Sequence, residues 1–213
     1  MPTLPRKFLA MLLTIVAGAA DAEPSASSWP WPIPDREPTA LLTAFIQADA
    51  WGLQSSGHDW PLVKRFTTWE DGPGWDRSAI VESAEIIGRK ESGGRSELTV
   101  RYRKLAELST DGAGKPVIDE TVASWESVTF VLEKQARTAA WRLIEPQDGP
   151  RLSVGYALDV LLPRWCGPDA CRTSPAYRLL SRRQQACPPS PIPLNRTCAT
   201  RDRRWRTPGT PPG

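Results

Sequence analysis

The sequence predicts an α+β domain: N-terminal helices packed on a curved antiparallel four-stranded meander, followed by a basic Pro/Arg-rich tail. Three observations predict it. Apolar residues recur at helical spacing over 38–53, strand-like runs occupy 79–144, and short turn-rich segments connect those runs. Helices gathered ahead of consecutive strands point to helices covering one sheet face rather than alternating with strands.

Pro38 suits the first turn of a helix, where no N–H is needed. Leu41, Leu42, Phe45, Ile46 and Ala48 then share one face, and Leu53 extends it. Gly52 and Gly57 end the helix by His58. Asp59-Trp60-Pro61 reads as a second start, with Asp59 as N-cap; that helix, Trp60 to Trp69, buries Leu62, Val63 and Phe66. Residues 71–77, DGPGWDR, form a loop.

The first strand spans Ala79 to Arg89, and Ser92-Gly93-Gly94-Arg95 is a tight hairpin connection. Leu98, Val100 and Tyr102 alternate with Glu97, Thr99, Arg101 and Arg103, so one face of the second strand is apolar. The alternation slips at Lys104-Leu105, which marks a bulge. Residues 111–116 turn the chain into a long strand, about Glu120 to Lys134, and Ala140 to Ile144 is the fourth strand, stopped by Pro146. Ser153 caps a short helix ending near Leu162.

Residues 44–51, AFIQADAW, on the first helix, the run Ser127 to Leu132, and Trp141-Arg142-Leu143-Ile144-Glu145-Pro146 carry a resemblance. Over about 38–150 the chain resembles the nuclear transport factor 2-like (SnoaL-like) superfamily; a cystatin-like helix-on-sheet domain shares the layout. The resemblance implies a conical pocket between first helix and sheet. It also implies an Asp, His or Tyr for proton transfer in enzymatic members, and a binding or accessory role in many others. Asp49, beside the apolar face, is then the candidate base, with Tyr102 or His58 assisting. The chain departs from the enzymatic pattern in lacking a paired Asp/His signature on its strands.

The two ends differ from this domain, taken as 38–162. Residues 1–22 combine Arg6 and Lys7, an uncharged apolar run from Phe8 to Ala20, and Ala20-Asp21-Ala22. They read as a signal peptide cleaved after Ala22, for a periplasmic or secreted product. Residues 23–37 form a Pro/Ser/Trp-rich extended leader. Residues 163–213 are the basic tail: from 164 on it holds ten Arg, nine Pro and all four Cys, but no Lys, Glu, Val or Phe. Its composition forbids a core of its own, so it is expected to be disordered or disulfide-tied. It carries +8, against −6 for 23–163. The switch in composition also matches what a reading-frame shift in GC-rich DNA would produce; a peptide from 172–206 detected in the native organism excludes that origin.

Cys166, Cys171, Cys187 and Cys198 read as two disulfides in an exported chain, with three pairings open. Their spacing fits no compact zinc knuckle, so no metal and no cofactor are expected. A formal +3 for the whole chain gives no reason to expect nucleic acid. The sequence has no G-x-S-x-G, P-loop or G-x-G-x-x-G motif, and His58 is the one imidazole. The leading expectation is an exported domain binding a small ligand or envelope protein, with Asp49, Trp51, Trp69 and Tyr102 as candidate ligand contacts. The alternatives are a cofactor-free isomerase or dehydratase using Asp49, and contact of the basic tail with an anionic envelope surface. A homodimer is compatible with any of the three.

Overall fold

A computed structural model describes residues 32–55, 57–72, 74–110, 116–119, 123–166, 172–173 and 175–186. The expected signal peptide, most of the expected leader, and Cys171, Cys187 and Cys198 lie outside the described residues. So does the Cys166 side chain, and with it the disulfide expectation.

Helix α1 (Pro38–Ala50) begins with the Glu37 carboxylate accepting the Ala40 N–H and with Pro38 in its first turn. Its buried residues include the expected stripe Leu41, Leu42, Phe45, Ile46 and Ala48. It ends in a Schellman motif. The Leu53 N–H donates to Ala48 O at 3.0 Å and the Gly52 N–H to Asp49 O at 2.8 Å, with Gly52 at φ +88°. A 3₁₀ turn (Gly57–Asp59) leads into α2 (Trp60–Phe66), which buries Leu62, Val63 and Phe66. The Asp59 side chain does not cap it, contrary to expectation: Asp59 is already in helical conformation instead of the extended one an N-cap needs. The helix stops at Phe66 because Thr67 is extended and pairs with Leu143.

Six strands follow: β1 (Arg77–Ser92), β2 (Arg95–Thr110), β3 (Pro116–Asp119), β4 (Ser124–Lys134), β5 (Trp141–Glu145) and β6 (Arg151–Ser153). Their order is β5-β4-β2-β1-β6, with β3 also on β2. The expected four-stranded antiparallel meander is therefore corrected to a mixed six-stranded sheet, still within an α+β fold. Strand β6 runs parallel to β1, in the register Ala79↔Arg151 and Val81↔Ser153. Strands β3 and β6 have four and three residues, too few to display a period of two, so patterning alone did not reveal them.

The sheet is curled. Helix α1 touches both β5 and β6, the two edges of the main strand order, so the sheet wraps around it. Three bulges between β1 and β2 contribute to the bend. Ile80 pairs with Ala106 but Val81 with Lys104, leaving Leu105 as the extra residue on β2, where the apolar alternation slips. Glu82 and Ile87 are extra on β1.

The adjacent residues Ile80 and Val81 point to opposite faces and belong to different cores. Val81 joins Phe45, Phe66, Trp69, Leu98, Val100, Tyr102, Phe130, Leu132 and Leu143 beneath α1 and α2. Ile80 joins Leu105, Leu108 and Leu152 beneath the C-terminal helical segments. These are α3 (Val154–Tyr156), a π-helical turn (Ala157–Leu161), α4 (Leu162–Cys166) and α5 (Pro175–Ala186). The Ser153 hydroxyl caps α3 by accepting the Tyr156 N–H at 3.1 Å. Leu180 of α5, inside the basic segment, is fully buried in this second core.

Candidate functional site

The Schellman turn places two polar side chains where the apolar face of α1 ends. Asp49, in the last turn, is 4% exposed. Its Oδ2 accepts the Arg151 backbone N–H at 2.8 Å, joining α1 to edge strand β6. Gln54, just beyond the turn, is 7% exposed and its side chain adds a polar contact to the same carboxyl group. Burial pushes the Asp49 acid up to about 7, against the opposing pull of the Arg151 amide, Gln54 and the Arg151 guanidinium; Asp148 adds to the rise.

Arg151 carries the rest of the cluster. Its Nη2 donates to Glu126 at 2.9 Å and to Asp148 at 2.6 Å. Its guanidinium carbon stands 4.7 Å from the centre of the Tyr102 ring, a cation–π distance. Burial disfavours the cation, but Tyr102, Asp148 and Glu126 outweigh it and raise the Arg151 pKa. Burial also acts on Asp148, where the Arg151 pair wins and lowers the carboxyl below its ordinary range. Tyr102, 2% exposed, is driven well above the phenol range by burial, reinforced by Asp49, Glu126 and Asp148 and opposed by Arg151. Four elements thus meet at one arginine: α1 at its backbone N–H, β2 and β4 at its guanidinium, and β6, which carries it.

Next to this cluster lies a cleft of ≈ 630 Å³. Gln54, Ser55, Trp75, Pro150 and Tyr156 line it, with Arg77 and Arg164 also in its wall. Gln54 belongs to both cleft and cluster, so Asp49 sits one side chain behind the wall. Ser55 Oγ donates to Gly52 O at 2.7 Å and accepts from the Tyr156 hydroxyl at 3.0 Å. This pair holds α3 against the end of α1. Gly52 is required here twice over: its φ is left-handed, and an added Cβ would lie 2.2 Å from the Tyr156 ring. Gly72 and Gly74 add to the wall. Trp60, stacked on Trp69, donates its indole N–H to Glu70 O and packs its ring against Gly72.

Of the expected site residues, the structure brings Asp49 and Tyr102 together around Arg151. Trp69 is buried in the first core, its indole N–H donating to Ile144 O at 3.1 Å. Trp51 points away from both cores and is 67% exposed. The His58 backbone lies in the 3₁₀ turn, and its side chain is outside the described residues. Sequence reasoning missed Gln54, Glu126, Asp148 and Arg151 as site residues. Arg151 stands 102 positions from the carboxylate its amide contacts, so no local spacing signals it. Among the described residues, no group of three or more His, Cys, Asp or Glu is placed to hold a metal ion. Nor is any helix among them long and apolar enough to cross a membrane.

No family model and no solved structure matches the chain. Among curated proteins it is similar to Lipoprotein LpqB of Nocardia farcinica (strain IFM 10152), at 28% identity over 134 residues. That match covers 62% of this chain and 21% of the relative, so the chain spans about a fifth of that protein's length.

Proposed function

We propose that this chain acts in the cell envelope as a binding module, holding a small ligand in the cleft beside Gln54 and Trp75. The observation that carries the proposal is that cleft: its volume lies in the range of small-molecule sites, and its wall joins apolar surface to a few convergent polar groups. Similarity to a protein named as a lipoprotein, and an N-terminus that reads as an export signal, support the location. The helix pair laid within a curled sheet supports a nuclear transport factor 2-like kinship, which remains part of the proposal. The test is native mass spectrometry of the protein purified from its host's envelope fraction. A small bound mass, lost in Trp75→Ala while the melting temperature holds, is the expected result. Recovery in the cytosol, without bound mass, overturns it.

One observation favours a second reading, a cofactor-free isomerase or dehydratase. Asp49 is a buried carboxyl with a pKa raised to about 7, suited to proton transfer near neutrality. Asp49→Asn separates the two readings. A binding module retains the same ligand, whereas an enzyme accumulates a chemically different one, its unturned substrate.

A further inference from the structure

Over its first half, strand β4 is paired along one side only. The Lys134 N–H donates to Gly94 O, on the β2 side, and the Gln135 N–H to Ala140 O, on the β5 side. Backbone groups alternate sides along a strand, and the β2–β4 register runs unbroken from Glu133 to Ser124. The N–H and C=O groups of Trp125, Ser127 and Thr129 therefore point away from β2. Strand β5 covers β4 only from Val131 to Lys134: it ends at Glu145, and Pro146, which has no N–H to donate, follows. Among the described residues no strand pairs with β4 on that side of Trp125, Ser127 and Thr129, and all three residues are exposed.

The sheet's other borders are blunted. Beyond β5, the Trp141 N–H donates to Asp35 O and the Thr68 N–H to Leu143 O; beyond β6, the Arg151 N–H donates to the Asp49 carboxylate. The part of β1 that β6 leaves uncovered has the bulges at Glu82 and Ile87 and charges at Glu85, Arg89, Lys90 and Glu91. Strand β3 has four residues, Pro116 and Asp119 among them. Bulges, charges, Pro and short length are the devices by which edges avoid pairing. The stretch Trp125 to Thr129 lacks them: its one charge, Glu126, is engaged by Arg151 at 2.9 Å, and Trp, Val and Thr favour strands.

We infer that this edge pairs with the same edge of a second copy of the chain, antiparallel about a two-fold axis at Ser127. Ser127 then faces Ser127, and Trp125 faces Thr129 on either side, each pair exchanging two backbone hydrogen bonds. An aromatic residue opposite a β-branched one is a favourable cross-strand pair, and Glu126 falls opposite Val128, so like charges do not meet. The edge is thus complementary to itself in this register. The basic tail is a poorer occupant. Its longest Pro-free run, residues 194–207, carries five Arg, and the carboxylates beside the edge are already paired: Glu85 with Arg101, Glu82 with Arg103 and Glu126 with Arg151. Strand β4 lines no part of the cleft, so the pairing stands apart from the ligand proposed for it.

The experiment is sedimentation equilibrium of the full chain, with amide hydrogen exchange followed at Trp125, Ser127 and Thr129. The expected result is a monomer–dimer equilibrium in which these three amides exchange faster on dilution. Ser127→Pro, which removes the N–H on the axis without touching the β2 ladder, should weaken the dimer by about tenfold or more. Should Ser127→Pro fail to fold, Ser127→Lys serves instead, since it sets two like charges opposite each other, and the same direction is expected. A chain that is still monomeric at about 1 mM overturns the inference; protected amides in that monomer assign the edge to a segment of the same chain. A dimer that the variant leaves undiminished overturns it as well, since its interface then lies elsewhere.

Discussion

The Asp49 carboxylate accepts the backbone N–H of Arg151 at 2.8 Å, so the last turn of α1 is bonded to the sheet's parallel edge strand. The same residue pair joins a buried acid to a buried cation that also holds Glu126, Asp148 and the Tyr102 ring.

Ionised Asp49 is expected to be a liability. Its folded pKa of about 7 lies above the ordinary value of 3.8, so the folded state binds more protons between those limits. The stabilisation is full below the lower value and is lost as pH rises through the upper one. Asp49→Asn keeps an acceptor for the Arg151 amide and removes the titration. Its stability relative to the parent should therefore rise by a few kcal/mol between pH 4 and pH 8, at about 1.4 kcal/mol for each pH unit separating the folded and unfolded pKa. Urea unfolding across that range checks this, and a difference independent of pH contradicts it.

Arg151→Met should destabilise by about 1–2 kcal/mol: it leaves Asp148 and Glu126 without their cation, but both carboxylates are more than a third exposed, so water screens much of the loss. The Asp49–amide bond is a backbone contact and should survive. Chemical denaturation gives the magnitude, and the NMR titration of the Asp49 carboxyl carbon should report a pKa higher than in the parent.

Gly52→Ala combines a left-handed backbone with a clash against Tyr156. The backbone alone costs about 1 kcal/mol, and the clash adds to it. In the double variant with Tyr156→Ala, removing the ring should restore the steric part. Thermal melts of the single and double variants test this, and purely additive losses would refute it.

Leu180→Ala should lower stability by about 2–5 kcal/mol, as expected for a fully buried leucine. A change within a few tenths would mean that α5 is not docked on the second core in solution.

The helices were legible because α1 and α2 carry apolar stripes at helical spacing and their own start and stop signals. Pro38, Gly52 and Pro61 mark boundaries, and the buried stripes recur at helical spacing. The bulge at Leu105 was legible as a slipped alternation. Strand β6 was not, since three residues pairing with β1 some 70 positions earlier leave no local trace. The site was legible in part for the same reason. Asp49 stands out as an acid beside an apolar stripe, whereas Arg151, Glu126 and Asp148 acquire their roles only when the sheet curls around α1. Trp69 and Trp75 are equally aromatic in sequence, and only packing separates the buried one from the one in the cleft wall.

The most direct test of the central claim is a crystal structure of the protein purified from its host's envelope without exchange of small molecules. The expected result is electron density for a small molecule in the cleft, against Gln54, Trp75 and Tyr156. A cleft filled by ordered water alone would contradict the claim.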